Sequence, residues 1–108
     1  LPIDGRPVAR ERATDVAPPA SSYGIPGEVW RETLPGGRSY LTLDFGPGNA
    51  HDDTPRLTVP DGHWFLLGDS RDNAIDDRVD GPTSAARLCG IVVQVVRSDV
   101  PGRVGTRP

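Results

Sequence analysis

The chain has 108 residues, of which 13 are Gly and 12 are Pro, a combined share about twice the ordinary ~12%. So many helix breakers exclude a helical bundle and favour short strands joined by turns. Twelve basic residues against 15 acidic ones give a net charge of −3, which excludes a simple basic nucleic-acid binder.

All twelve basic residues are Arg. A mechanism that needs an amine base or a Schiff base is therefore not completed by these residues alone. The start at Leu1 rather than Met is the mark expected of a processed or truncated product. Residues 1–8 place Asp4-Gly5 between two short apolar segments, the dipeptide of a tight hairpin turn. Residues 9–27, with Pro18, Pro19, Ser21, Ser22, Gly24, Pro26 and Gly27, read as a loop, as readily a linker as a binding segment.

Two strands are predicted over 29–34 and 39–45, forming a hairpin around Pro35-Gly36-Gly37. Alternation puts Leu41, Leu43 and Phe45 on one face. Residues 46–55 form a loop carrying His51-Asp52-Asp53. Segments 56–60 and 63–67 then flank the turn Pro60-Asp61-Gly62, and the apolar run 63–67 reads as a strand buried on both faces. Residues 85–88 suit one helical turn, and 90–97 is the most β-branched run and a further strand. Cys89, the one cysteine, excludes an internal disulfide and is expected as a small buried residue beside that strand. Residues after Val100 read as a frayed tail. No apolar run approaches the ~20 residues of a membrane span, and no charged, apolar leader is present. A hydrophobic share of 35% in 108 residues makes a modest core that leans on neighbours.

The densest chemistry lies in residues 68–78, where Asp69, Asp72, Asp76, Asp77, Arg71, Arg78 and Asn73 crowd eleven positions after the apolar run. Such density fits a solvated loop. Gly68 permits backbone geometries and close approaches denied to other residues, and Arg71 and Arg78 can each fork a carboxylate, so the loop can also tie itself into an ion-pair network. A calcium site from Asp69, Asp72, Asn73, Asp76 and Asp77 fails the EF-hand spacing, since Arg71 falls where a ligand belongs and Ala74 where Gly belongs. A zinc site from His51 and His63 has poor spacing. Ser70 lies in no nucleophile elbow and reads as a turn hydroxyl. Trp30, Tyr40 and Trp64 offer stacking surfaces, but the acidic balance argues against nucleic acid.

Residues 59–78, Val-Pro-Asp-Gly-His-Trp-Phe-Leu-Leu-Gly-Asp-Ser-Arg-Asp-Asn-Ala-Ile-Asp-Asp-Arg, resemble the last signature box of type I signal peptidases, V-P-x-G-H-Y-F-x-x-G-D-N-R-D-N-S-x-D-S-R. Residues 1–8 are similar to the family hairpin L-Y-I-N-G-K-P-V, and residues 31–40 to its R-E-T-L-P-N-G-x-S-Y segment. The resemblance implies an all-β, antiparallel-sheet, signal-peptidase-like fold, present here in part, with long Pro/Gly-rich loops. It divides the chain into a core hairpin (1–8), an inserted β-region away from the chemistry (9–58), a core return with the signature loop (59–99) and a tail (100–108). The implied activity is serine endopeptidase cleavage of signal peptides from exported preproteins, by a Ser nucleophile and a Lys base that lie before Leu1, so that the chain alone is inactive.

The resemblance also implies Gly68, Asp69, Arg71, Asp72, Asn73, Asp76 and Arg78 as support for that site. Asp69 and Arg71 would brace the loop and the Lys strand, Asp76 and Arg78 would form a buried ion pair near the dyad, and Gly68 would give the Lys room. No cofactor, metal or nucleic acid is implied. The partners implied are signal peptides and the cytoplasmic (inner) membrane, reached through a missing N-terminal segment, with the domain facing the periplasm. Uncovered strand edges are expected to give a homo-oligomer of the fragment. Ala74 stands where the family has a Ser that orients the Lys, Ser70 replaces Asn, and Asp77 replaces Ser; residues 79–83 are also looser than the family pattern. These departures keep a second reading, a diverged non-catalytic β-module of the same scaffold used for binding or assembly.

Overall fold

The computed structural model describes residues 1–19, 24 and 26–107. Its first element is the hairpin expected from Asp4-Gly5. Strand β1 (Pro2–Ile3) pairs antiparallel with β2 (Arg6–Pro7), and Asp4 and Gly5 both take positive φ, 51° and 74°. That pair of angles belongs to a type I′ turn, whose twist matches the strands it joins.

The loop expected at 9–27 is not one throughout. Residues Ala9–Arg12 form β3, antiparallel to β4 (Glu28–Thr33), which in turn pairs with β5 (Ser39–Asp44). All four β3 residues are exposed, so no apolar alternation marks the strand. Charge places it instead: Arg10 stacks 4.0 Å over the Trp30 ring and pairs with Asp44 at 2.8 Å, while Arg12 pairs with Glu28 at 2.7 Å. The part of the loop expectation that covers Ser21 and Ser22 lies outside the described residues. The β4–β5 hairpin forms as expected, closed by Leu34 N–H and Gly37 N–H bonds to the Arg38 and Leu34 carbonyls.

The pairing Val29–Leu43 and Arg31–Leu41 defines one face of this sheet, and Trp30–Thr42 with Glu32–Tyr40 the other. Leu41 stays exposed, while Glu32 and Thr42 are buried. Among the described residues the buried apolar set is only Val8, Ala13 and Val29, and no large side chain is fully enclosed. Polar contacts therefore hold much of this all-β fold.

Several expectations for the second half are corrected. The strand expected at 63–67 shrinks to β6 (His63–Trp64), paired with β7 (Thr83–Ser84). His63, Trp64 and Leu66 are exposed rather than buried on both faces, because no layer of these residues packs over them. Residues 90–97 form no strand: Ile91 and Val96 are 81% and 83% exposed. β-branched residues favour a pleated, half-buried surface, and none is offered to them here. The residues after Val100 are not simply frayed, since the chain turns back so that Val95 bonds to Thr106 and Gly105. Cys89 is exposed rather than buried. The helical turn expected at 85–88 is present as a 3-10 turn, Ala85–Arg87, and the turn at Pro60-Asp61-Gly62 forms with Gly62 at φ 71°.

Candidate functional site

The acidic loop is fastened to the open edge of β5 at successive residues. Leu43 N–H donates to the Asp69 carbonyl at 2.8 Å, and Arg71 N–H donates back to the Leu43 carbonyl at 2.9 Å, forming a short parallel bridge. The Asp72 carboxylate then accepts from Phe45 N–H at 2.6 Å. An otherwise unpaired strand edge and a turn of the loop thus satisfy each other's backbone groups.

Inside the loop, Asp76 and Arg78 form a forked pair. Nε of Arg78 donates to Oδ1 of Asp76 at 2.8 Å and Nη2 to Oδ2 at 2.9 Å, with the two side chains only 7% and 8% exposed. Asp76 also accepts from Gly68 N–H at 2.9 Å and caps helix α1 (Asp77–Asp80) through Arg78 N–H at 3.1 Å. Burial raises the Asp76 carboxyl, but the Arg78 bonds, the two backbone N–H groups and the Arg78 charge outweigh it and hold the pKa at about 2. The same hydrogen bonds to Asp76 raise Arg78. Its Nη2 reaches the Arg71 carbonyl at 2.5 Å and its Nη1 the His51 carbonyl at 3.5 Å. Gly68 is required here for close approach, not for a positive φ, because a Cβ at this position would overlap the Ala74 Cβ.

The other expected site residues are placed unequally. Asp69 is exposed, and among the described residues its carboxylate accepts only from the neighbouring Ser70 N–H, at 3.0 Å. Asn73 is exposed and acts through its backbone, donating to the Ser70 carbonyl at 3.1 Å. Ser70 serves in the same way as a turn residue. Burial, helped by the charges of Asp44 and Asp52, raises Asp72 against the lowering effect of the Phe45 N–H. Arg71, Asp72 and Arg78 line one side of an open cleft of about 270 Å³, with Leu1, Pro2, Arg10, Glu32, Asp44 and His51 among its other walls.

Neither metal reading gains a ligand set: among the described residues no three His, Cys, Asp or Glu side chains gather as a metal site. Asp76 is engaged by Arg78, while Nδ1 of His63 lies 3.0 Å from the Asp61 carbonyl inside its own turn. The aromatic residues form no shared platform, since Trp30 lies under Arg10, Tyr40 donates to Glu32, and Trp64 sits on β6.

Sequence reasoning did not assign a structural role to two buried carboxylates. Glu32 is 4% exposed and accepts from Arg71 Nη2 at 2.5 Å and from the Tyr40 hydroxyl at 3.1 Å. Asp77 is 6% exposed and accepts from Leu66 N–H at 2.7 Å and from the Thr83 hydroxyl at 2.9 Å and N–H at 3.3 Å. The signal for Glu32 was available in part: a carboxylate amid strand residues needs a cation once it is buried. Which Arg would supply it was not legible, since the pair spans 39 positions.

The family model described as signal peptidase, peptidase S26, matches residues 1–97. Over 72 residues the chain is 36% identical to a signal peptidase I of Rickettsia conorii (strain ATCC VR-613 / Malish 7), covering 61% of this chain and 27% of that protein. It is 38% identical over 72 residues, with the same coverage, to a signal peptidase I of Rickettsia prowazekii (strain Madrid E). A third, from Rickettsia bellii (strain OSU 85-389), is 35% identical over 57 residues, covering 47% of this chain and 20% of that protein. The chain thus spans little more than a quarter of the length of the first of these relatives, 27%. No solved structure matches it.

Proposed function

The chain belongs to the signal peptidase family, peptidase S26, and from that premise we propose that it is the part of a signal peptidase I that frames a Ser–Lys site without supplying either residue. One observation carries this reading: the Gly68–Arg78 loop is folded and internally tied, in a chain that contains no Lys. A Lys serves as general base only when its surroundings lower its pKa. The Asp76 carboxylate suits that task because Arg78 and two backbone N–H groups already occupy it. It offers no free charge with which to hold an ammonium protonated.

In this reading Gly68, Arg71, Asp72, Asp76 and Arg78 build the wall, while Asp69 and Asn73 shape the turn. Segments 1–8 and 59–99 belong to the catalytic core, and 9–58 to the insertion. The Ser, the Lys and an anchor in the inner membrane lie in a longer protein whose domain faces the periplasm, and its substrates are signal peptides of exported preproteins. No helix of the described residues is long and apolar enough to cross a membrane. Assay of the 108-residue chain on a peptide with an Ala-x-Ala cleavage site tests the missing dyad: no hydrolysis is expected, and hydrolysis would overturn it.

One observation favours the second reading, a diverged module that keeps the scaffold for binding or assembly. Ala74 packs its methyl against Gly68 and carries no hydroxyl to orient an ammonium. Losing one such bond costs roughly 1.5–3 kcal/mol, enough to slow catalysis without removing the site.

The 108-residue chain is also proposed to self-associate. Ile91, Val92, Val93 and Val96 are exposed in an uncharged run of high β-propensity, the kind of segment that pairs with another chain. Sedimentation velocity across a hundredfold concentration range is expected to show a rising mean mass. A concentration-independent monomer would contradict this.

A further inference from the structure

We infer that Glu32, on the central strand of the inserted sheet, is a positioning residue for the signature loop, acting through Arg71. This deepens the reading of the loop as the wall of a Ser–Lys site and rests on it. The family resemblance places the insertion away from the chemistry; in this structure the insertion grips the loop.

The geometry is continuous. Strand β4 has neighbours on both sides, so the Glu32 backbone is fixed by β3 and β5. Its buried carboxylate needs donors, and Oε2 takes both of them, Arg71 Nη2 and the Tyr40 hydroxyl. Arg71 is meanwhile held by its backbone, N–H to the Leu43 carbonyl, and its own carbonyl accepts from Arg78 Nη2. Arg78 holds Asp76, and Asp76 holds Gly68 N–H. A single chain of polar contacts thus runs from the middle of the insertion to the first residue of the loop.

The ion pair is also poorly backed up. Nε of Arg71 is buried with no partner among the described residues, so Glu32 is the side-chain acceptor that keeps this guanidinium in place. Without it the guanidinium gains by turning to water. The Arg71 carbonyl moves with it, and that is the group Arg78 uses. The Arg12–Glu28 pair of the same sheet, by contrast, lies in solvent.

Amide hydrogen exchange on the 108-residue chain tests this directly. In Glu32→Gln, which keeps an acceptor for Tyr40, the Gly68 and Arg71 amides are expected to exchange at least tenfold faster. Amides of the β4–β5 ladder are expected to change less than twofold. Glu28→Gln, which removes the exposed pair, is expected to move neither set. Unchanged loop amides in Glu32→Gln would overturn the proposal, and so would equal acceleration of sheet and loop, since that is the mark of a merely structural residue. In a longer protein with the dyad, the same variant is expected to lower kcat and leave KM within twofold; an unchanged kcat would overturn the proposal. If the unmutated longer protein cleaves nothing, the Ser–Lys reading fails, and the exchange experiment still decides whether Glu32 positions the loop.

Discussion

Asp76→Ala is expected to destabilise the chain by about 3–5 kcal/mol, because it strands the buried Arg78 guanidinium. Both side chains of the pair are less than a tenth exposed, so water cannot replace the lost carboxylate without opening the loop. The same change deprives Gly68 N–H of its acceptor and α1 of its cap. A small domain has roughly 5–15 kcal/mol in total, and this one has few buried apolar residues to draw on. Urea denaturation followed by Trp30 and Trp64 fluorescence measures the loss. A change below about 1 kcal/mol would mean that the pair is not closed in solution.

The same carboxylate sets an acid limit. The Asp76 pKa falls from the ordinary 3.8 to about 2 in the fold, so its contribution is complete above pH 3.8 and is lost as pH falls through 2. Linkage puts that contribution on the order of 2 kcal/mol. Asp72 works in the opposite direction: its raised pKa means that stability is lost as pH rises from 3.8 through the higher folded value. Asp76→Asn is expected to flatten the acid limb between pH 4 and 2, and Asp72→Asn to leave that limb in place.

Asp77→Ala is expected to cost about 3 kcal/mol and to act at a different place. Two backbone N–H groups and a hydroxyl converge on this carboxylate from Leu66 and Thr83, and each bond to a charged acceptor contributes roughly 1.5–3 kcal/mol. Its loss frees the segment that follows β6, at Leu66, from the start of β7, at Thr83, next to the two-residue pairing of those strands. Asp77→Asn keeps one acceptor oxygen and is expected to lose about half as much. Equal losses for the two variants would show that charge, not the number of bonds, holds the site. The family pattern has Ser at this position. The carboxylate is therefore a departure that the chain uses structurally, holding three donors where a hydroxyl would satisfy fewer.

The parts of the structure that were legible in the sequence are those fixed by neighbours along the chain. Asp4-Gly5 specifies its hairpin through the positive φ of two adjacent residues, and Pro35-Gly36-Gly37 separates two strands that pair across it. The Asp76–Arg78 pair is likewise local, two positions apart. What was not legible depends on distant partners. Strand β3 has no apolar pattern and is held by Trp30, Glu28 and Asp44. Residues 90–97 have the composition of a strand, but composition does not reveal whether a neighbouring edge exists. Arg71 stood out within its loop, while its partner Glu32 lies on β4, 39 positions away.

Cleavage of a preprotein by a protein that carries this chain behind a segment with a Ser and a Lys bears most directly on the proposed function. The substrate is a secreted precursor with an Ala-x-Ala cleavage site, and the comparison is the same protein with that Lys replaced by Ala. The expected result is a single cut after the Ala-x-Ala motif by the first protein and none by the second. An intact precursor after incubation with the first protein, with its Ser and Lys in place, would contradict the assignment of this chain to a working signal peptidase.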